Sequence, residues 1–446
     1  MKQIVESILS IIREAGGDPY YVGGYVRDRI LGIESKDIDI EVYGLTMDQL
    51  QEALKEFNPR LVGKSFGVLH VDGIDISLPR TDKKVGVGHK GFEMTFDPLM
   101  SQEEACRRRD FTMNAILISP DEHVDTYPMY IDYFGGVKDI HDKIIRHVDE
   151  KHFNEDPLRA LRAVQFSVRF GFGIDPITAA LCREQDLSEL PNERIWEEMY
   201  KFLVKGKFFT THGIQALDDT EMWRVFPELF DMMDTPQDPI WHPEGDVLIH
   251  TMQALQYATD NFEFRDDKHK FKIMLAVLLH DIGKPETTTL NEKGSISSKG
   301  HAKAGADKAR EFIKRYTEEA ELVDEVPKLI YDHMFQFGTK YGDSAIRRLA
   351  TRVKVEDLVM VCDADSSGKL HEELERLKNR SEELGILRNK NQRILEYKDL
   401  VKAGFEINPP PERGKTINNL FEAQLDGKFS TKEEGIEYFK KGMADA

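Results

Sequence analysis

Two aspartates one residue apart, Asp37 and Asp39, stand in the run KDIDIEV a few residues after GGYVRDRILG. On a strand, residues two apart project from the same face, so this spacing aims two carboxylates at one point. Hard oxygen ligands so placed suit Mg²⁺, which also coordinates substrate phosphates. Two such ions can activate an attacking hydroxyl and stabilise a pyrophosphate leaving group. Gly23 and Gly24 lie just before a helix expected from Tyr25 to Leu31. Glycine lets a ligand approach the backbone closely, and the N–H groups of a helix N-terminus attract phosphate. Taken singly these are a glycine turn and a charged strand end. Taken together they predict a site for metal ions and a triphosphate, with Asp75 a candidate third carboxylate on a neighbouring strand.

A second group, Glu155, Asp156 and Arg159, has helical spacing, which puts the three side chains on one face. A carboxylate accepts from an exocyclic amino group, and a guanidinium donates to ring nitrogen and carbonyl acceptors. Such a set can tell C or A from U or G without a template strand.

A third group is built on histidines. WHPEGDVLIHTMQAL (241–255), LAVLLHDIGKP (276–285) and SKGHAKAGA (298–306) place His250, the adjacent His280 and Asp281, and His301 at the ends of apolar runs. His333 and a late aspartate, Asp365 or Asp363 in VCDADSSGK, extend the group. Imidazole and carboxylate together suit a transition metal or Mg²⁺ and phosphoester hydrolysis. His301 and His333 are candidates for a second metal or a phosphate.

The elements that must position these groups change along the chain. Between residues 20 and 145, short strand patterns alternate with helices. Ile38 to Val42 alternates apolar and acidic residues, as a half-buried strand does. GVLHV and IDISL flank Asp72-Gly73, which predicts a hairpin whose turn needs positive φ. Residues 81–104 are rich in glycine and charge and predict a loop. From about residue 150 the strand patterns thin out, and Leu158, Leu161, Val164 and Val168 recur at helical spacing after Pro157. Three prolines, Pro409 to Pro411, set off a final helical tail with Ile417, Leu420 and Phe421.

Composition bounds the class. The 446 residues suffice for two to four domains, and 40% hydrophobic with 32% charged residues fits a largely helical soluble protein. No apolar run is long enough to cross a membrane, and the N-terminal stretch, broken by Glu6 and Arg13, reads as an amphipathic helix ending at Gly16-Gly17 and not as a signal peptide. Three scattered cysteines, Cys106, Cys182 and Cys362, argue against a disulfide framework or a zinc knuckle and for a reducing cytoplasm. The net charge of −19 is not that of an obvious nucleic-acid binder. Local basic groups such as Arg107-Arg108-Arg109 and Arg347/Arg348/Arg352 could still hold a phosphate backbone if they share a surface.

GGYVRDRILG followed by KDIDIEV resembles the class II tRNA nucleotidyltransferase and poly(A) polymerase family. RRDFTMNA (108–115) resembles its ribose-binding segment and DYFGGVKDIHDKIIRHV (132–148) its connector. NEDPLRALRAVQFSVRFGF (154–172) resembles its base-reading helix and ERIWEEMYKFL (193–203) the helix after it. The histidine pattern resembles the HD superfamily of metal-dependent phosphohydrolases, as carried by a subgroup of CCA-adding enzymes.

The resemblance implies an α+β fold. A polymerase-β-like nucleotidyltransferase head with a mixed sheet would span 1–145, a helical base-reading neck and body 146–240, an HD domain 241–370 and a helical tail 371–446. It implies Asp37 and Asp39 as catalytic metal ligands, Asp156 and Arg159 pairing with the incoming base, Glu155 orienting Arg159, and Asp110 on the ribose. Arg108 and Arg109 are implied at phosphates, the alternative being that an arginine of that run simply pairs with Asp110. Gly23, Gly24, Arg27, Asn114 and Arg162 complete the expected nucleotide site. His250, His280, Asp281 and Asp365 are implied as ligands of a divalent metal in the HD domain.

The implied activity is CCA addition to tRNA from CTP and ATP with Mg²⁺, joined to phosphatase or 2′,3′-cyclic phosphodiesterase chemistry in the HD domain. The segment PRTDKKVGVGHKGFE resembles the family's flexible loop and favours complete CCA over CC-only addition. Alternatives are an A-adding enzyme, a poly(A) polymerase, and an HD phosphohydrolase with a non-catalytic RNA-binding head. Lys64-Ser65 in LVGKSFGVLHV, where poly(A) polymerases carry two basic residues, argues against the second. Intact Asp37, Asp39, Asp156 and Arg159 argue against the third.

Overall fold

The computed structural model describes residues 2–444 apart from Lys36, 63–66, 85–91, 121–127, Glu189, Asn291, Lys293 and 338–341. Chain contacts divide it into two compact units, Met1–Pro227 and Glu228–Ala446.

The first unit opens with the helix Lys2–Glu14, whose Val5, Ile8, Leu9 and Ile12 are buried on one side. Strands β1 (Asp18–Tyr21) and β2 (Ile38–Tyr43) follow, then β3 (Arg60–Val62), β4 (Val68–Val71) and β5 (Ile74–Ser77). Beyond them come β6 (Arg80–Lys84), β7 (Phe92–Phe96), β8 (Ile116–Ile118) and β9 (Tyr130–Asp132). Seven of these strands form a sheet in the order β3-β4-β5-β2-β1-β8-β9. The sheet is mixed: β2 and β5 run parallel with Asp39 opposite Asp75, while the other neighbours are antiparallel. The hairpin expected at Asp72-Gly73 is present, with φ of 46° and 86° at those two residues. That is the paired positive φ of a type I′ turn.

Two expectations change. Part of the loop predicted over 81–104 is a separate antiparallel ribbon of β6 and β7, followed by the helix Gln102–Arg107. Backbone pairing there outweighs a polar composition that by itself reads as loop. Residues 85–91 of that segment, and Lys64-Ser65, lie outside the described residues. The second change concerns Glu155 and Asp156, which do not lie on the helix expected to carry them. That helix is Leu158–Phe170, and both acids sit in the turn after the short helix Glu150–Phe153. Pro157 disfavours the α conformation for the residue before it, so the helix cannot include Asp156.

The second unit is helical. Helices Val247–Asn261, Asp267–Leu279, His301–Tyr316, Ala320–Asp332 and Val355–Ser366 pack around residues that are almost fully buried, among them Met252, Leu255, Ile273, Leu275, Phe312, Ile330 and Leu358. The tail has a small core of its own in Leu395, Leu400, Ile417, Leu420 and Phe429. Its helix starts inside the proline run, at Pro410, since proline is tolerated in a first turn. No described helix is long and apolar enough to cross a membrane, and the three cysteines are free and buried.

Candidate functional sites

In the first unit the strand pairing builds the acidic site. Asp39 on β2 and Asp75 on β5 are register partners on adjacent strands and therefore share a sheet face. Asp37 is exposed and lies one residue ahead of β2, so strand periodicity places Asp39 but not Asp37 on that face. Burial raises the Asp39 carboxyl to about 6; Arg109 opposes the rise, and Asp75 and Asp37 add to it. Burial and the like charges of Asp75 and Asp37 both disfavour the ionised Asp39, and a bound cation would favour it. Asp75 also takes a bond from His70 Nδ1 at 2.7 Å.

Gly23 opens the helix Gly23–Ile30 with φ of +65°. A Cβ there would lie 3.3 Å from Arg109 Nη1 and 3.4 Å from Asp39 Oδ2. The glycine thus keeps the approach to Asp39 open, where any side chain would close it. Arg109 is held by Glu41 at 3.2 Å. Arg27 is buried, bonded to Asp28 at 2.8 and 2.6 Å and to Asn114 Oδ1 at 2.6 Å, and its guanidinium lies over the Phe166 and Phe170 rings. Arg27 therefore ties the glycine helix to the helix Leu158–Phe170.

Asp110 is paired with Arg162, at 2.6 Å, and not with the arginine run that precedes it. It also accepts from Asn114 Nδ2 at 2.9 Å and from its neighbour's backbone N–H, Phe111 N, at 2.8 Å. Burial alone would raise this carboxyl, but the Arg162 guanidinium and the Asn114 amide hold it down at about 2.

The residues expected to read the base are set differently from the expected scheme. Glu155 pairs with Arg108 at 3.3 Å, not with Arg159. Arg159 is oriented instead by backbone carbonyls, donating Nη1 to His152 O at 2.8 Å and Nη2 to Arg108 O at 2.7 Å. Asp156 is gripped by both terminal nitrogens of Arg194, at 3.1 and 2.8 Å, from the helix Asn192–Lys205. Arg194 escaped the sequence reading although its segment was singled out, because no local spacing links it to a residue 38 positions away.

In the second unit the histidines converge. His250 Nε2 lies 3.1 Å from Asp365 Oδ1 and 4.0 Å from Asp281 Oδ2. His280 Nε2 lies 3.2 Å from Asp281 and 3.5 Å from Asp365. Asp281 Oδ1 is 3.5 Å from His301 Nε2, which in turn faces His333 Nε2 at 3.2 Å. Asp363 points elsewhere, to the Tyr257 hydroxyl at 3.3 Å. The outer nitrogens are all engaged: Nδ1 of His280, His301 and His333 donates to the carbonyls of Val277, Ser298 and Ile330 at 2.7, 2.8 and 2.5 Å. His250 Nδ1 donates to Glu244 at 2.7 Å. Such bonds fix the tautomer and turn each Nε2 lone pair inward, as in metal-ligating histidines.

The centre is left unsatisfied in a way that fits a metal. His280 Nε2 and Asp281 Oδ1 are buried with no hydrogen-bond partner among the described residues. Burial pushes His333 down to about 4 and leaves its imidazole neutral, whereas at His280 and His250 the neighbouring carboxylates outweigh burial, raising His280 to about 10 and His250 above its ordinary value; a metal ion in the cluster would take the place of those protons. Lys284 Nζ, 2.6 Å from Asp281 Oδ2, and Glu244 belong to the same cluster and were not singled out from sequence. HDIGKP and WHPEGD nonetheless carry them beside the residues that were.

Residues 19–146 match the Poly A polymerase head domain family and residues 247–368 the HD domain family. The chain is 33% identical over 370 residues to the Multifunctional CCA protein of Methylobacillus flagellatus, covering 78% of this chain and 84% of that protein. It is 36% identical over 275 residues to the Multifunctional CCA protein of Nitrosospira multiformis, 60% of this chain and 62% of that one. Among solved structures, the CCA-adding enzyme of Bacillus stearothermophilus in complex with CTP has the same fold, with a TM-score of 0.69 at 22% identity over 100% of this chain and 99% of that chain.

Proposed function

The chain belongs to the family of multifunctional CCA proteins, and from that premise we propose that it completes the 3′ end of tRNA with C, C and A from CTP and ATP, in the cytoplasm, without a template strand. The observation that carries this reading is the strand register. Asp39 and Asp75 stand opposite each other on parallel strands, with Asp37 at the edge and the Gly23 turn open beside them. Magnesium held by Asp37 and Asp39 would supply charge for activating the tRNA 3′-hydroxyl and for the leaving pyrophosphate. Around that site this chain's residues bind and orient. The Gly23–Gly24 turn and Arg109 receive the triphosphate. Asp110, kept ionised by Arg162, accepts from the ribose hydroxyl. Asp156, fixed by Arg194, accepts the exocyclic amine that C and A share and that U lacks. Arg159, in the first turn of the helix Leu158–Phe170, would donate to the base edge.

For the second unit we infer a phosphohydrolase centre of the HD type, with His250, His280, Asp281 and Asp365 holding a divalent metal that would polarise a phosphoester. Lys284 would meet the phosphate as a point charge, and 3′ ends bearing phosphates would be cleared there before extension.

The test is single-nucleotide incorporation on tRNAs ending before CCA, after C and after CC, with Asp37→Ala alongside. Two additions of C, one of A and then a stop are expected. Asp37→Ala or Asp39→Asn should lose incorporation by about a thousand-fold or more while phosphate release persists. Long A tails on any RNA would replace the reading with poly(A) synthesis, and A alone on the CC-ending tRNA would replace it with a split pathway.

A further inference from the structure

One loop beside the histidine cluster carries features that metal binding leaves unused. It runs through residues 234–246 into the helix Val247–Asn261 and is pinned from within. Gln237, buried, donates to Asp246 O at 3.1 Å and accepts from Lys284 Nζ at 2.7 Å. Asp246 caps the helix through Ile249 N at 2.9 Å and takes the Asp234 N–H at 3.1 Å. Asp238 turns the tip. Its carbonyl accepts from Trp241 N at 3.1 Å and His242 N at 2.8 Å, and its carboxylate accepts from Ile240 N at 2.9 Å.

This anchoring holds two large apolar side chains in solvent, Ile240 at 81% and Trp241 at 72% exposure. A floppy loop would fold such side chains against the nearest apolar surface; a pinned one presents them. The next residue, His242, sets its ring edge-on to His250 with centroids 4.6 Å apart. It also shares Glu244 Oε1 with His250, at 3.0 and 2.7 Å. The exposed indole is therefore one residue from the wall of the cluster, and the loop that carries it is tied to Lys284, the cation at the cluster's centre.

We propose that Ile240 and Trp241 form a nucleoside lip for the histidine cluster, with the indole stacking the base of a nucleotide whose phosphate enters beside Lys284. The proposal rests on the phosphohydrolase reading of that cluster and names its substrate class: nucleotides or RNA ends, in preference to phosphomonoesters that lack a base. Stacking is tolerant of base identity, because every base offers a π face. A single Trp thus suits 3′ ends of varied sequence.

The full chain, without added metal, is titrated with adenosine 2′-monophosphate and with glycerol 2-phosphate while tryptophan emission is followed. Trp196, Trp223 and Trp241 are the three tryptophans, so Trp241→Phe identifies the reporter. The nucleotide is expected to quench the wild type, glycerol phosphate not, and Trp241→Phe to abolish the signal. In turnover, Trp241→Ala should lower the kcat/KM ratio of nucleotide to glycerol phosphate about ten-fold, through KM, with Trp241→Phe recovering most of it. Quenching that survives in Trp241→Phe, or an unchanged ratio in Trp241→Ala, overturns the lip. A fall in oligomeric mass on Trp241→Ala with a constant ratio assigns the face to a second copy and also overturns it. Trp241-dependent quenching in a protein that hydrolyses neither substrate upholds the lip and sinks the phosphohydrolase reading.

Discussion

The Asp110 carboxyl shows how one residue can serve the fold and the site together. Its pairing with Arg162 overcomes the effect of burial and keeps it ionised down to about pH 2, against 3.8 for an ordinary aspartate. The folded value lies below the unfolded one, so the ionised group stabilises the fold above about pH 4 and that contribution fades as pH falls toward 2. The stabilisation amounts to about 2 kcal/mol. Urea midpoints across that range should show Asp110→Asn less stable by about this amount at neutral pH, with a flatter acid limb. A variant with the wild-type acid limb would show that the pair does not act this way. Arg194 acts through Asp156. A bidentate guanidinium fixes both the position and the plane of a carboxylate, which a lysine cannot do. Arg194→Ala is expected to lower the ratio of correct to incorrect nucleotide incorporation on the order of ten-fold. Arg194→Lys should fail to restore it, whereas a role that needed only positive charge at this position would be met by lysine. Misincorporation of UTP against CTP is the readout.

At the scale of elements, both sites depend on close approaches that the backbone permits only at glycine. Gly283, between His280-Asp281 and Lys284, lies against the start of the helix His301–Tyr316. A Cβ there would sit 2.3 Å from His301 O and 2.5 Å from Gly305 N. These are backbone atoms and cannot swing aside. Gly283→Ala must displace the helix that carries His301, at a cost of about 2 kcal/mol or more. Calorimetric titration with Mn²⁺ or Ni²⁺ should show metal affinity weakened ten-fold or more. Gly173→Ala, with nothing within 4 Å and an ordinary φ, is the control and should be neutral. Equal behaviour of the two variants would refute the close-packing account. In the head, the parallel pairing of β2 with β5 does the comparable work, since a slip of one residue would turn Asp39 or Asp75 to the other face of the sheet.

The whole chain divides into two units that each bury a core and each hold a complete candidate site. The acidic site, Asp110 and the Glu155–Asp156 turn all lie within residues 1–227, and His242, His250, His280, His301 and His333 within 228–446. The second unit also buries a charged knot in which Lys272 meets Asp357 at 2.7 Å and Glu325 at 2.8 Å, and His269 meets Asp357 at 3.1 Å. Breaking it by Lys272→Met would leave the buried Asp357 to His269 and Arg265 alone and cost about 3 kcal/mol. Residues 228–446 produced alone are expected to melt cooperatively and to keep metal binding, with Lys272→Met lowering that melt. A fragment without a melting transition would mean that the second unit does not fold by itself.

Local sequence determined what depends on neighbours along the chain. The two-residue spacing of Asp37 and Asp39, the Asp72-Gly73 turn, the helix after Pro157 and the His280-Asp281 pair were all legible, because strand and helix periods and turn stereochemistry act over a few residues. Tertiary structure alone decided the partners. Residues two apart on a helix point about 200° from each other, so only one of Asp363 and Asp365 can face the histidines; Asp365 meets His250, and Asp363 meets Tyr257 farther along the helix Val247–Asn261. The strand ribbon within 81–104, Glu155 on Arg108 and Arg162 on Asp110 were likewise settled by contacts. So was Arg194 on Asp156, 38 residues along the chain. Charge pairing is short in space and indifferent to sequence distance, so a sequence can name the groups that do chemistry long before it can say which side chain holds each of them in place.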